Sequence, residues 1–183
     1  MKKYLTAANI ITIIRILLIP LFLVFYLNTS FYYEGFPLYA VLIYLLAFFS
    51  DVLDGFIART TNTISNLGKI LDPLADKLLR LSVIFAFYIA DVLPLYIFLT
   101  LLTFDILSIV LALVMLNNKF FVKANIFGKI TTIIMTLSLF SCFFHNIINP
   151  YDVYAVMISI VLVFITLIQY FIKYYKIYKK IRF

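Results

Sequence analysis

Four of the eight acidic residues in this 183-residue chain fall in one stretch: Asp51, Asp54, Asp72 and Asp76, within SDVLDGFIARTTNTISNLGKILDPLADK. The chain around them is 66% hydrophobic. Carboxylates in such surroundings are costly and persist where a metal, a counter-charge or a water-filled cavity offsets the cost. On a helix, positions 51, 54, 55 and 58 project into one arc, so two carboxylates are followed by Gly55 and Ala58, which barely protrude. Asp72 and Asp76, four apart, share a face of the next helix. A hairpin would bring the two faces together. Four adjacent carboxylates do not all ionise without cations. The hard oxygen donors suit Mg²⁺ or Mn²⁺, with capacity for two ions, and no His or Cys lies nearby to recruit zinc. Arg59 adds a fixed positive charge, and the small residues allow close approach. Together these describe a phosphate or pyrophosphate site. The plainer reading, interfacial charges at helix ends, explains one or two of the aspartates but not four.

The elements that must position them are membrane helices. Mean hydropathy is +1.13 and Trp is absent, a composition that cannot clothe a soluble domain. Hydropathy predicts six transmembrane spans over residues 5–27, 37–60, 68–90, 94–116, 125–146 and 152–173, in one all-α integral membrane domain covering 1–183. No linker or charge block divides it, and no internal repeat is evident. The N-terminus resembles a signal peptide, but Arg15 interrupts it early and no clean cleavage site follows, so it reads as a retained first helix. The first, third and fifth connectors contain no Lys or Arg, and all fifteen basic residues fall on the other side or in the span halves adjoining it. The positive-inside rule then places both termini in the cytoplasm and the aspartates at the cytoplasmic face of the cell membrane. The net charge of +7 flanks apolar spans, which points to an anionic leaflet and not to nucleic acid. Residues 174–183 read as a basic, Tyr-rich interfacial tail.

The aspartate stretch resembles the signature of the CDP-alcohol phosphatidyltransferase family, D-x2-D-G-x2-A-R-x8-G-x3-D-x3-D. Asp51, Asp54, Gly55, Ala58, Arg59, Gly68, Asp72 and Asp76 match it with every spacing kept. The resemblance implies transfer of a substituted phosphate from a CDP-linked lipid to an alcohol, with release of CMP. It implies that Asp51, Asp54 and Asp72 bind two metal ions, that Asp76 lies near them and serves as general base, that Gly55, Ala58 and Gly68 leave room for the cytidine nucleotide, and that Arg59 binds phosphate. It also implies a homodimer. Asn9, Thr12 and Arg15, one per helical turn, are similar to residues of bacterial members that would contact the CDP moiety or lipid phosphate.

For the acceptor, ITIIRILLIPLF and LGKILDPLADKLL look most like the phosphatidylglycerophosphate synthases of the family, which use sn-glycerol 3-phosphate. The cardiolipin synthases, which use phosphatidylglycerol, are similar in the same region. Gly128-Lys129 also looks like the Gly-Lys of those synthases. Two positions depart from that pattern. Phe104-Asp105 stands where an Arg-Glu pair is usual, and Thr131 where a second Lys or Arg is common. Asp105, Lys123 and Lys129 are the expected acceptor contacts, with Arg80 a possible compensating charge. A reading from another class, a cation-binding transporter, predicts broken spans or repeat symmetry, and neither is visible in the sequence. His145, distant in sequence from the aspartates, reads as an interfacial polar residue, and Cys142 as packing.

Overall fold

A computed structural model of the chain describes the backbone over 7–61, 68–117 and 126–182, and side chains over 11–50, 74–110 and 126–173. Its α-helices are α1 (Ala7–Leu27), α2 (Leu38–Thr61), α3 (Gly68–Ile89), α4 (Leu95–Asn117), α5 (Ile126–Ser141), the single-turn α6 (His145–Ile148) and α7 (Tyr151–Arg182). Among the described residues there is no strand beyond one isolated bridge, Tyr33 to Phe36. The protein is therefore all-helical. Two segments, Ile126–Ile148 and Tyr151–Lys173, are long and apolar enough to cross a membrane. Ile11–Leu27, Leu38–Ser50 and Leu95–Val110 are shorter apolar helices.

The chain forms two compact units, Met1–Ala90 and Asp91–Phe183. In the first, α1 packs against both α2 and α3. Ala40 and Ala47 on α2 and Ala75 and Ala86 on α3 are fully buried; side chains this small let helix backbones approach closely. Phe22 stacks on Tyr26 (5.7 Å), and Tyr26 meets Phe87 edge-on (5.3 Å). The sequence also explains where these helices stop. After α1, the Asn28 side chain accepts from the Ser30 amide (3.1 Å), and Glu34 and Gly35 take positive φ before Pro37 leads into α2. The Tyr32 hydroxyl folds back to donate to the Tyr26 carbonyl (2.7 Å), and partial burial raises its pKa.

In the second unit α7 packs against α4 and α5. α5 and the residue after it form a seam of mostly small and polar residues at alternating three- and four-residue spacing: Gly128, Thr131, Met135, Ser138 and Cys142. They are met in reverse order by Tyr170, Thr166, Ser159 and Asp152, so the two helices run antiparallel. Thr131 and Thr166 share a hydrogen bond (3.0 Å), Ser138 donates to Ser159 (3.2 Å), and Ser159 contacts the Met135 sulfur (3.0 Å).

Two helix ends add detail to the expected spans. The predicted fifth span, 125–146, is α-helical only to Ser141 and then tightens into a 3-10 turn, Cys142–Phe144, before α6. Ser141 Oγ and Cys142 Sγ both donate to the Ser138 carbonyl (2.7 and 3.4 Å), a local competition that favours a tightened last turn. The last helix runs on past the predicted span to Arg182, so the basic tail is helical, as expected of the interfacial end of that helix. In each unit large apolar side chains cover the outside, among them Leu17, Val24 and Leu46 in the first and Ile133, Leu137 and Ile158 in the second. Such outward faces suit hydrocarbon and not water.

Candidate functional site

The signature residues lie on two consecutive helices. α2 carries Asp51, Asp54, Gly55, Ala58 and Arg59 in its last three turns, and α3 begins at Gly68 and carries Asp72 and Asp76 one turn apart. The backbone is thus helical at all eight positions, as the spacing requires for shared faces. The side chains of Asn9, Asp51, Asp54, Ala58, Arg59 and Asp72 lie outside the described residues, as do the surroundings of Gly55 and Gly68 and everything at Lys123.

Asp76 is described, and it is exposed, while its neighbours Ala75 and Leu79 point into the core of the first unit. A carboxylate so placed is open to an incoming cation or alcohol without disturbing the packing beneath it. Its charge and that of Arg80 both reach Tyr44, a buried residue of α2 seven positions before Asp51. Seven residues is close to two helical turns, so Tyr44 stands on the same face of α2 as the first aspartate.

Thr12 and Arg15, one turn apart on α1, are both fully buried, each at 0% exposure. An enclosed guanidinium is expensive unless its neighbours are polar or charged. One such neighbour is Ser50, whose Oγ receives Arg15 Nε at 3.5 Å. Ser50 in turn donates its own proton to the Ala47 carbonyl (2.7 Å). The residue immediately before Asp51 therefore links the α1 arginine to α2. Sequence reasoning missed Ser50 and Tyr44. The available signal was position alone: one adjoins the motif, and the other lies two turns from it along one face.

The donor set fits a divalent cation in type: carboxylate oxygens, with Asp76 accessible. Among the described residues no three His, Cys, Asp or Glu side chains gather to hold a metal. Three of the four aspartates fall outside that comparison.

In the second unit Asp105 is buried and Lys129 is exposed. The positions that depart from the expected acceptor pattern both meet α7. Phe104 packs against Phe164 (6.1 Å between rings), and Thr131 is buried against Thr166. Gly128 has a packing reason, since a Cβ there would stand 2.8 Å from the Tyr170 hydroxyl. His145 is more than an interfacial residue: its Nδ1 pairs at 2.7 Å with Asp152 Oδ2. The Asp152 side chain is wholly buried, and its Oδ1 has no hydrogen-bond partner.

Comparison with known proteins agrees with the motif. The family model for CDP-alcohol phosphatidyltransferase matches residues 5–171. The chain is similar to the CDP-diacylglycerol–glycerol-3-phosphate 3-phosphatidyltransferase of Aquifex aeolicus, at 34% identity covering 92% of this chain and 95% of that protein. It is similar to the Bacillus subtilis protein of the same name, at 31% identity covering 76% and 77%. It is also similar to the cardiolipin synthase (CMP-forming) of Streptomyces coelicolor, at 34% identity covering 71% of this chain and 61% of that one. With eight signature positions kept on two consecutive helices and a family match over nearly its whole length, the chain belongs to the CDP-alcohol phosphatidyltransferases, enzymes that transfer phosphatidyl groups.

Proposed function

We propose that the protein transfers the phosphatidyl group of CDP-diacylglycerol to sn-glycerol 3-phosphate, giving phosphatidylglycerophosphate and CMP. The observation that carries this reading is the complete signature on α2 and α3, together with relatives of that activity aligned over most of the chain. Asp51, Asp54, Asp72 and Asp76 would hold two Mg²⁺ or Mn²⁺ ions, which supply positive charge to the pyrophosphate when bound. Gly55, Ala58 and Gly68 leave room for the nucleotide, and Arg59, Asn9, Thr12 and Arg15 serve the donor's phosphates. Asp76 takes the proton of the acceptor hydroxyl as that oxygen bonds to the lipid-side phosphorus. The pyrophosphate P–O bond breaks and its electrons leave with CMP. The exposure of Asp76 supports this role, because a general base must reach its proton directly. Asp105, Lys123 and Lys129 are put forward for the acceptor on sequence resemblance. We place the protein in the cell membrane with both termini and the site at the cytoplasmic face, as a homodimer; the basic-residue asymmetry supports the orientation.

A second reading, phosphatidylglycerol as acceptor and cardiolipin as product, is favoured by the uncharged Phe104 and Thr131 and by the cardiolipin synthase relative. One assay separates them. Purified protein with CDP-diacylglycerol and Mg²⁺ or Mn²⁺ is given glycerol 3-phosphate or phosphatidylglycerol, and CMP and the lipid product are measured. Phosphatidylglycerophosphate is expected. Cardiolipin alone establishes the second reading, and no CMP with any alcohol overturns both.

A further inference from the structure

We infer that Ser50 is a positioning residue for the reaction, acting by holding the Arg15 guanidinium in register with the aspartates of α2. Arg15 is fully enclosed, so its orientation is set by neighbouring groups and not by solvent. Its Nε lies 3.5 Å from Ser50 Oγ, at the outer limit of a hydrogen bond. Contacts at catalytic sites are often this long before substrate arrives and tighten with it.

The serine is itself held. Its proton is committed to the Ala47 carbonyl at 2.7 Å, which leaves its oxygen lone pairs to accept from the arginine. A guanidinium is a rigid planar fork, so a bond at Nε sets the direction of its terminal nitrogens as well. Ser50 is half-buried and adjoins Asp51, so this contact ties α1 to α2 at the first residue of the signature. A small displacement of a group that orients phosphate lowers productive binding more than it disturbs the fold.

The inference rests on the reading of Arg15 as a contact for the donor's phosphate, and the test separates the two. Wild type, Ser50→Ala and Ser50→Thr are compared, and Ser50→Ala is repeated in an Arg15→Lys background, where no Nε–H remains. CMP release gives KM for CDP-diacylglycerol and kcat separately, and thermal unfolding is recorded for each variant. Ser50→Ala is expected to raise KM about fivefold with kcat changed less than about twofold. Ser50→Thr, which keeps the hydroxyl, is expected to match wild type, and Ser50→Ala is expected to add nothing in the Arg15→Lys background. An unchanged KM in Ser50→Ala, a loss confined to kcat, or an equal rise in the Arg15→Lys background overturns the inference while wild-type activity stands. A wild type that releases no CMP with any acceptor overturns the donor reading, and this inference with it.

Discussion

The two units bury polar groups for different ends. The first encloses a charge: Arg15, with Thr12, lies sealed among α1, α2 and α3, and an open carboxylate, Asp76, stands above the packed core. The second pairs neutral hydroxyls with one another along α5 and α7, and it buries carboxylates, Asp105 and Asp152, but no Lys or Arg among the described residues. A sealed cation is hard to justify as glue, because apolar residues of the same volume usually serve stability as well or better. Paired hydroxyls between helices are an ordinary solution to holding apolar helices in register. The comparison teaches that burial of polar atoms alone does not mark a site. Arg15 differs from those hydroxyls in carrying charge, with Ser50 to orient it and an exposed carboxylate, Asp76, in the same unit.

This contrast breaks if chemistry and stability do not separate by unit. The largest effect is expected at Asp76. Asp76→Asn should lower CMP release by about a hundredfold or more, with the unfolding temperature unchanged, since an exposed side chain contributes little to packing. Retained turnover would remove Asp76 as the base.

Next is the pair at the end of the second unit. His145→Ala should cost about 2–3 kcal/mol in unfolding free energy, because it strands the buried Asp152 carboxylate. The same change made on Asp152→Asn should cost less than about 1 kcal/mol, as no buried charge is then left behind. CMP release per folded molecule should not move in either case. Equal costs in both backgrounds would show that the contact to Asp152 is not what His145 supplies.

Within the seam, Thr131→Val alone should cost about 1 kcal/mol by removing its bond to Thr166, whose hydroxyl keeps the Leu162 carbonyl, and adding Thr166→Val should cost less than it does alone. Denaturant unfolding of the three variants measures the coupling. The smallest effect is expected at Gly128→Ala, about 1 kcal/mol or less, because the atom it meets is the far end of a side chain. Tyr170→Phe should relieve it. A Gly128→Ala enzyme that folds normally but loses CMP release would instead break the contrast, by giving a second-unit packing position a part in the chemistry.

The sequence was most legible where spacing and chemistry coincide. Asp51 through Asp76 stood out as a candidate site because four acids in an apolar chain demand an explanation, and the backbone at those positions is helical, as the spacing requires. The helices were legible through long apolar runs, although α5 ends at Ser141 and α7 runs on to Arg182. Periodicity reports which face is apolar but not where serine hydroxyls and thiols compete for backbone carbonyls. Ser50 and Tyr44 were illegible because a serine or tyrosine in an apolar helix is common, and their meaning comes from partners on other helices. His145 was read without a partner for the same reason. Its partner Asp152 lies only seven residues away, but across a turn whose geometry the sequence does not state. The seam on α5 follows a regular three-and-four spacing. It escaped notice because Gly, Thr, Ser and Cys do not register as a hydrophobic stripe.

The placement of Arg15 also bears on how the protein is made. It sits near the middle of α1, and if α1 spans the membrane as proposed, inserting that arginine costs about 2.5–3.5 kcal/mol. Its partner Ser50 is 35 residues downstream, so at a synthesis rate of about 5–20 residues per second α1 waits roughly two to seven seconds for it. During that interval the surrounding Ile and Leu residues alone hold the helix in the membrane. The arrival of α2 then encloses the arginine. On that topology, a nascent chain whose second helix failed to dock would keep its arginine facing lipid, which gives the α1–α2 contact a part in assembly as well as in the finished fold.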